Sequence, residues 1–344
     1  MFSVLSTQFR DSINDVKSVV GWQEDLRQLV HGALGAEHAQ ANTSLSLLNT
    51  KPPQKLAWQI FDHCAAVSRL YALFEQTICD LVTEYTGLLP TVVPKFSDLC
   101  DRSRNQLRIG IGTILTKWGP DKPLYSSIRE ESIAAGFADG LRGKPYHLLA
   151  DAFLVSPENF RSTALGRLFS DLGFDDAISF ARKYEGVRQF IETRLSSTET
   201  LESYLDLFVR TRNESSHGNI STIASAKQII DYADFLCELF NAFAILLRSD
   251  ILKRGTMTGQ TQDVAEILHV YTGGIYGASA RSNSKLTIGQ RIYAGKKSIS
   301  DATVLSLQIG RDSHSTLELK PGMEFGVSLD IPLKNGTHMY QWNP

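Results

Sequence analysis

The sequence predicts an α+β fold, in which an all-α helical bundle with a large helical insertion is followed by a small C-terminal β-barrel. Over residues 1–254 apolar side chains recur at steps of three and four positions, the period of a helix with one buried face. Over residues 263–344 short runs of alternating apolar residues are separated by glycine-containing turns, and strands at this spacing suggest a closed barrel. The length of 344 residues fits two or three domains.

The helical region is predicted to begin with a helix over about residues 4–33, followed by a polar linker that ends at residue 50. The first strongly amphipathic helix is predicted over Gln54–Leu88, where apolar residues form a single stripe. We expect Gly87 and Pro90 to end this helix, because both residue types disfavour a helix interior.

Helical spacing returns several times further along the chain. Prolines and glycines interrupt residues 143–173, so short helices and loops are expected there. The other predicted helices cover residues 97–115, 123–140, 175–195, Thr198–Arg212 and Ser225–Lys253.

The character of the chain changes after Gly255, where a short linker over residues 255–262 is predicted. Gly255 and Gly259 favour a mobile connection at this point. Alternation of apolar and polar residues then predicts strands within residues 264–271, 284–295, 302–310, 323–331 and 337–342.

Charge and composition exclude several protein classes. The net charge is −2, so any contact with nucleic acid must be local. The four cysteines lack CxxC pairing and ligand-spaced histidines, which argues against a zinc site, an iron–sulfur site or a disulfide scaffold. The first residues do not read as a signal peptide, and the most apolar run, residues 235–247, is too short to cross a bilayer. We therefore expect a soluble, cytoplasmic protein with no membrane contact.

One segment carries residue types suited to catalysis: Arg212-Asn213-Glu214-Ser215-Ser216-His217-Gly218, placed where one apolar stripe stops and before the next begins. Its serines, glycine and asparagine are typical of a helix terminus. On a continuous helix Arg212 and His217 would lie about 140° apart. They converge on one ligand only if the helix breaks between them or if a second subunit supplies the matching pair.

An arginine and a histidine together suit RNA cleavage. The reaction needs a base for the ribose 2′-OH, an acid for the leaving 5′-oxygen and a cation for the charge that develops on phosphorus. Histidine titrates near neutral pH and serves as acid or base, while arginine binds phosphate through paired hydrogen bonds. No metal is required, because the ribose supplies its own nucleophile. The alternative interpretation is structural, since a histidine at a helix end also interacts favourably with the helix dipole.

The string Arg212-Asn213-x-x-x-His217 resembles the signature of the HEPN superfamily, in which an arginine, a polar residue, variable residues and a histidine lie at the junction of two helices. Residues 71–75, Tyr-Ala-Leu-Phe-Glu, look like the first long helix of the toxin-like, RiboL-PSP-related branch of that superfamily. The resemblance covers residues 50–90 and 198–253 as a core, with residues 95–195 as an insertion between core helices.

This resemblance implies a helical bundle, a homodimer with a composite site, and metal-independent endoribonuclease activity without a cofactor. In the family such activity typically serves toxin or phage-defence systems and targets transfer, messenger or ribosomal RNA. By the same resemblance His217 is the acid or base, Arg212 is the phosphate-binding cation, and Asn213 orients the site.

Three further residues are candidates for supporting roles. Glu214 lies inside the motif, and the alternative for it is a solvated carboxylate at a helix end. Glu75 and Tyr71 fall on the apolar stripe of the first amphipathic helix, where a buried carboxylate is costly without a partner. Either Glu75 pairs with Arg212 and positions it, or it lies at the edge of the stripe.

The C-terminal region looks like domain 2 of translational GTPases of the elongation-factor Tu type. The resemblance rests on Gly289 and Ile292 in one strand and on Gly322 and Gly326 in another, over residues 264–342. It implies a six-stranded barrel that contacts transfer or ribosomal RNA, although the chain contains no GxxxxGK[ST] motif for a GTPase. Dimerisation or docking of a partner protein is an equal alternative.

Several barrel residues are candidates for RNA contact. Lys296, Lys297 and Arg311 are predicted to form a local basic patch on a region of nearly balanced charge. Three tyrosines, at positions 271, 276 and 293, have the ring faces on which bases stack, although strand tyrosines also serve packing alone.

The sequence therefore supports two main hypotheses. The first is an endoribonuclease that acts as a toxin or antiviral effector, with RNA, a second copy of the chain, and an antitoxin or defence-system protein as partners. The second is a non-catalytic HEPN scaffold that binds RNA or a partner protein. The intact Arg212–His217 pair favours the first, and the near-neutral charge favours the second. A weaker third hypothesis is a regulatory subunit whose barrel docks on the ribosome.

Overall fold

A computed structural model describes five segments of the chain, residues 1–31, 52–118, 130–155, 158–218 and 220–343. Within these segments helices occupy the N-terminal region and strands the C-terminal region, which confirms the predicted α+β class. The predicted polar linker before residue 50 and the start of the predicted helix over 123–140 lie outside the described residues. None of the described helices combines the length and the apolar character needed to cross a membrane.

The helical region contains long helices at both ends and shorter ones between them. Two single 3₁₀ turns, Phe96–Asp98 and Ala150–Ala152, lie among them. The α-helices are α1 (Ser3–His31), α2 (Lys55–Val92), α3 (Asp101–Lys117), α4 (Glu130–Leu141), α5 (Ser162–Asp171), α6 (Ala177–Lys183), α7 (Glu185–Arg194), α8 (Leu201–His217) and α9 (Ala226–Thr258).

All of these helices share one hydrophobic core. Helices α1, α2 and α9 pack against one another, and α8 packs against α2. Residues of the predicted insertion enter the same core: Phe169 of α5 stacks on Phe243 of α9 with ring centroids 4.2 Å apart, and Phe190 of α7 contacts Phe235. Residues 95–195 are therefore continuous with the core on which α2, α8 and α9 pack.

Helices α2 and α8 extend beyond their predicted ends past residues that were expected to stop them. Helix α2 passes Gly87 and includes Pro90 in its last turn, because burial of Leu89 and Val92 in the core stabilises that turn despite the missing N–H. The predicted end at these two residues is thus wrong.

Helix α8 continues past Arg212 to the end of the motif. Its serines do not break it, because the Ser215 and Ser216 hydroxyls donate to the carbonyls four residues earlier. Gly218, with φ +71°, ends the helix in the left-handed conformation that glycine adopts without strain. Residues 175–195, in contrast, do not form one long helix as predicted. The backbone is extended at Tyr184, which separates α6 from α7.

The strands of the C-terminal region are β1 (Thr261–Val270), β2 (Tyr276–Ala280), β3 (Ser284–Thr287), β4 (Arg291–Gly295), β5 (Ile299–Ile309), β6 (Asp312–His314), β7 (Thr316–Leu319), β8 (Glu324–Leu329) and β9 (His338–Trp342). Six of them form a closed antiparallel barrel in the order β4–β9–β1–β2–β8–β5, with β5 pairing back to β4. Strand β6 pairs antiparallel with the end of β5, and β3 pairs with β7 in a separate ribbon.

The two regions are joined without the mobile linker that was expected over residues 255–262. Helix α9 continues to Thr258, only two residues separate it from β1, and Gly255 is a buried helical residue. A Cβ atom at Gly255 would lie 2.2 Å from Thr261 Oγ1, so glycine is needed here for the close approach of α9 and β1.

The barrel packs against the C-terminal half of α9 through polar and apolar contacts. The buried guanidinium of Arg248 pairs with Asp301 of β5 at 2.7 Å, and Ser249 Oγ accepts a hydrogen bond from the Ile299 N–H at 2.9 Å. Leu252, Ile299 and Tyr340 form a small apolar cluster at the same joint. These contacts fix the barrel on the C-terminal half of α9.

The buried ion pair gives a prediction about the stability of this joint. Asp301→Asn removes the charge that faces Arg248 and leaves a guanidinium buried without a counter-ion. We expect the free energy of unfolding to fall by about 2–4 kcal/mol, less than for a fully buried pair because Asp301 is partly exposed. Urea denaturation measures the change, and Asp312→Asn, at an exposed position of β6, is the matched control. A loss no larger than that of the control would contradict the role of this pair.

Candidate functional site

The motif lies in the last two turns of α8, where that helix meets α2 and the segment before α5. Because α8 is continuous through His217, the break that would let Arg212 and His217 converge within one chain does not occur. The two side chains leave the helix about 140° apart. A helix break that brings the two side chains together is therefore absent from this segment.

Arg212 is held without a carboxylate. Its guanidinium lies over the Tyr71 ring, 4.3 Å from the centroid, and Nη1 donates to Asn159 Oδ1 at 3.4 Å and to Asn213 Oδ1 at 3.1 Å. In the part of the chain that the structure describes, Nε and Nη2 have no partner and no acidic group pairs with Arg212. By contrast, the buried Arg27 and Arg248 each pair with a carboxylate. The positive charge of Arg212 is therefore available to an anion.

Tyr71 is the platform under this guanidinium. It is fully buried, and its hydroxyl accepts a hydrogen bond from the Phe160 N–H at 3.0 Å. The hydroxyl proton is directed at Glu75 Oε1, 3.2 Å away, and at Asn159 Oδ1, 3.3 Å away. Burial raises the pKa of Tyr71 to about 12, so the phenol stays neutral at physiological pH. Glu75 thus acts on Tyr71, and the structure contains no direct pair between Glu75 and Arg212.

Asn159 is a member of the cluster that the sequence analysis did not identify. Besides accepting from Arg212 and Tyr71, it donates through Nδ2 to Asn213 Oδ1 at 3.0 Å. The segment that carries Asn159 is tied to α8 three residues further on, where the Ser162 N–H donates to Asp206. Only the tertiary contact distinguishes Asn159 from any other loop asparagine, so no pattern in the sequence could have found it.

His217 is exposed at the last position of α8, and no hydrogen bond to another described residue holds its ring. Asn213 lies one turn earlier on the same helix face, four residues away. The amide Nδ2 of Asn213 has no partner in the described part of the chain. The exposed histidine is accessible to a ligand, and none of the described residues orients its ring.

Glu214 faces away from this cluster. Its Oε2 accepts from the Ser221 hydroxyl at 2.5 Å and from the Ser221 N–H at 3.3 Å, and these bonds lower the pKa of Glu214. The carboxylate therefore ties the end of α8 to the connection that leads into α9, and this contact fits the structural alternative for Glu214.

A second polar cluster, built on the buried His63 of α2, fixes the end of α8. His63 Nδ1 accepts from the Ala224 N–H at 3.0 Å, so the ring proton resides on Nε2, which lies 3.0 Å from Ser215 Oγ. The Ser215 hydroxyl in turn donates to the Thr211 carbonyl at 2.8 Å. Burial lowers the pKa of His63 and favours the neutral ring that this arrangement requires.

Protonation of His63 is predicted to destabilise the fold in acid. Because the folded-state pKa lies below the ordinary value of 6.5, the unfolded chain binds the proton more readily, and stability falls as the pH drops below about 6.5. His63→Gln should flatten this part of the pH profile and also lower stability by about 1–3 kcal/mol, through the loss of buried hydrogen bonds. Urea titrations from pH 5 to 8 measure both effects, and an unchanged slope in the variant would contradict the assignment.

The candidate basic residues of the barrel do not form one patch. Lys296 and Lys297 lie in the turn before β5, whereas Arg311 follows its other end. Eleven residues of extended strand separate them by roughly 30 Å. The prediction of a single patch is wrong, because the sequence interval between these residues is a strand that spans the barrel.

The three barrel tyrosines also differ in exposure. Tyr276 is buried and accepts from the Leu333 N–H, and Tyr293 lies at the joint with the helical region. Only Tyr271 of the three has an exposed ring. Across the described residues, no group of three or more His, Cys, Asp or Glu side chains is arranged to hold a metal ion.

A family model described as MAE_28990-like HEPN matches residues 11–255, which include both predicted core segments and the insertion between them. This match confirms the resemblance at the level of the HEPN superfamily. No curated protein and no solved structure matches the chain significantly.

Proposed function

Because the chain belongs to the MAE_28990-like HEPN family, we propose that it is an endoribonuclease whose site is completed by a second copy of the chain. The proposal rests on one observation, the fixed position and unneutralised charge of the Arg212 guanidinium. Its guanidinium is fixed by an aromatic ring and two amide oxygens, and no carboxylate in the described part of the chain neutralises it. Such a group suits a phosphate, since its remaining N–H donors can bind the anion in a paired geometry.

The reaction follows from the groups present. A histidine removes the proton of the ribose 2′-OH, and the 2′-oxygen attacks the adjacent phosphorus. The new P–O2′ bond forms as the P–O5′ bond breaks, and a protonated histidine gives its proton to the departing 5′-oxygen. Arg212 stabilises the charge that develops on the phosphoryl oxygens. The products are one fragment with a 2′,3′-cyclic phosphate and one with a free 5′-OH, and no metal enters this scheme.

A second chain solves a geometric problem of the single chain, because His217 lies about 140° around α8 from Arg212. Each composite site takes Arg212 from one protomer and His217 from its partner, and that histidine first accepts the 2′-OH proton and then gives it to the 5′-oxygen. A two-fold axis beside the end of α8 would place Arg212 of one protomer opposite His217 of its partner. The site proposed here consists of Arg212, Asn213 and His217, with Tyr71, Glu75 and Asn159 as positioning residues.

The biological role proposed with this activity is that of a cytoplasmic toxin or antiviral effector. The substrate would be a translation-associated RNA such as transfer RNA, with the barrel as the recognition module. An antitoxin or another defence-system protein would restrain the activity. The resemblance of the barrel to domain 2 of translation factors motivates this choice of RNA and remains a prediction.

Induced expression in bacteria tests the function. Wild-type protein should arrest growth and produce discrete RNA fragments with 5′-OH ends, whereas His217→Ala should do neither. His269→Ala, which removes an exposed histidine of the barrel, is the matched control and should behave as wild type. If wild type and His217→Ala leave RNA equally intact, both in growing cells and during phage challenge, the scaffold hypothesis replaces this proposal.

A further inference from the structure

A cavity lies beside the Arg212 cluster, and residues of the segment that carries Asn159 form part of its wall. It holds about 200 Å³ and is bounded by this segment, by α5 and by the residues after the second 3₁₀ turn. Asn159 contacts Arg212, and its neighbours Glu158 and Phe160 line the cavity. The apolar part of the wall consists of Phe153, Leu154, Val155, Phe160, Ala164 and Leu168.

The polar groups of this cavity are mainly hydrogen-bond acceptors. Gln106 uses its amide Nε2 to bond the Ala152 carbonyl at 3.0 Å, which leaves Oε1 as the group that can face a ligand. Asp171 bonds Arg102 through Oδ1 at 3.0 Å, which leaves Oδ2 as a second acceptor. Arg167, the one cationic residue of the lining, is already paired with Glu158 at 3.2 Å.

An apolar slot with an aromatic wall and acceptors at its rim fits a flat, uncharged ring better than a phosphate. Nucleobases have this character, because their faces stack on aromatic side chains while their edges carry hydrogen-bonding groups. Adenine, cytosine and guanine present an exocyclic amine as a donor, whereas uracil presents carbonyl oxygens at the corresponding positions. The acceptors at the rim therefore favour an amine-bearing base.

We propose that this cavity is a base-specificity pocket, which takes an amine-bearing nucleobase of the RNA strand next to the phosphate held by Arg212. Its place beside the scissile bond rests on the proposed function. Its ability to bind a base rests on the cavity alone. Asn159 bonds the guanidinium and the next residue, Phe160, lines the pocket, so the phosphate site and the pocket meet at consecutive residues of one segment.

Binding of free nucleosides tests the pocket without requiring catalysis. Nucleosides carry no phosphate and so do not depend on Arg212. In saturation-transfer NMR, wild-type protein should bind adenosine, cytidine or guanosine about tenfold more tightly than uridine. Ala164→Leu, which fills the cavity, should abolish this binding. Thr163→Leu adds similar bulk at the exposed neighbouring position of α5 and should leave binding unchanged. Asp171→Asn, which exchanges an acceptor for an N–H donor, should reduce the preference for the amine-bearing nucleosides over uridine.

The outcomes separate this proposal from the proposed function. Equal binding of all four nucleosides, no binding, or identical behaviour of Ala164→Leu and Thr163→Leu would overturn the pocket, even if RNA cleavage depends on Arg212. Conversely, discrimination among nucleosides without any RNA cleavage would keep the pocket and overturn the nuclease. Where cleavage occurs, sequencing of the fragment ends should show an amine-bearing base beside the cut, and Ala164→Leu should erase that preference.

Discussion

Replacement of Arg212 by alanine is expected to lower the rate of RNA cleavage by about 10²–10³-fold, the range seen when one preorganised donor to a developing oxyanion is removed. Arg212 supplies the one site cation whose charge no carboxylate balances in the described residues, and its position over Tyr71 is set before RNA arrives. Arg212→Lys should recover little activity, because an ammonium group keeps the charge but loses the planar donor set that bonds Asn159, Asn213 and a phosphate at once.

Purified protein and a labelled RNA give the cleavage rate directly. The matched control is Arg210→Ala, which removes an exposed arginine from the same helix, two positions earlier. Circular dichroism and thermal unfolding should show the Arg212→Ala fold intact, since its loss removes one cation–π contact and two hydrogen bonds to neutral groups. Cleavage by Arg212→Ala at the rate of Arg210→Ala would contradict the assignment of Arg212 as the phosphate-binding cation.

The long helices were predictable because a three-and-four residue apolar period reports burial of one face, and α1, α2 and α9 each bury such a face. Their ends were less predictable. Pro90 lies inside α2 because tertiary burial of the last turn outweighs the local preference, and α9 continues to Thr258 because the barrel packs on it. Proline and glycine residues thus indicate the end of a helix only where the residues that follow them are not buried in a hydrophobic core.

The barrel was predictable from its alternating strands, although β2 escaped detection. The five residues of β2, Tyr-Gly-Ala-Ser-Ala, are mostly small and lack the branched apolar side chains that mark a strand. Its place between β1 and β8 is fixed by pairing along both edges, which a single sequence does not display.

Only the local part of the candidate cluster could be expected from the sequence, and the roles of its residues remain predictions. Arg212, Asn213 and His217 stand together in the sequence, so their residue types indicated the chemistry. Asn159 lies 53 residues before Arg212, and only the packing of α5 against α8 brings it there. The contact of Glu75 could not be predicted either. Its carboxylate accepts a hydrogen bond from the Tyr71 hydroxyl and does not pair with Arg212 directly.

The proposed composite site leads to a second large effect, in mixed dimers of two inactive variants. Arg212→Ala and His217→Ala homodimers should each be inactive. In a heterodimer, one composite site loses both groups, while the other keeps Arg212 from one protomer and His217 from its partner. Random mixing makes about half of the dimers heterodimeric with one working site of two, so the unfractionated mixture should recover about a quarter of the wild-type activity and the purified heterodimer about half.

This recovery depends on the angle between the two side chains on α8. Were Arg212 and His217 of one chain to serve the same phosphate, no heterodimer would contain an intact pair, and the mixture would stay inactive. The experiment co-expresses the two variants with different tags, purifies the doubly tagged species and measures cleavage beside light scattering. A mixture of Arg212→Ala with the double variant Arg212→Ala/His217→Ala lacks any complete site and is the control. Inactive heterodimers, or an active monomer, would show that the site lies within one chain.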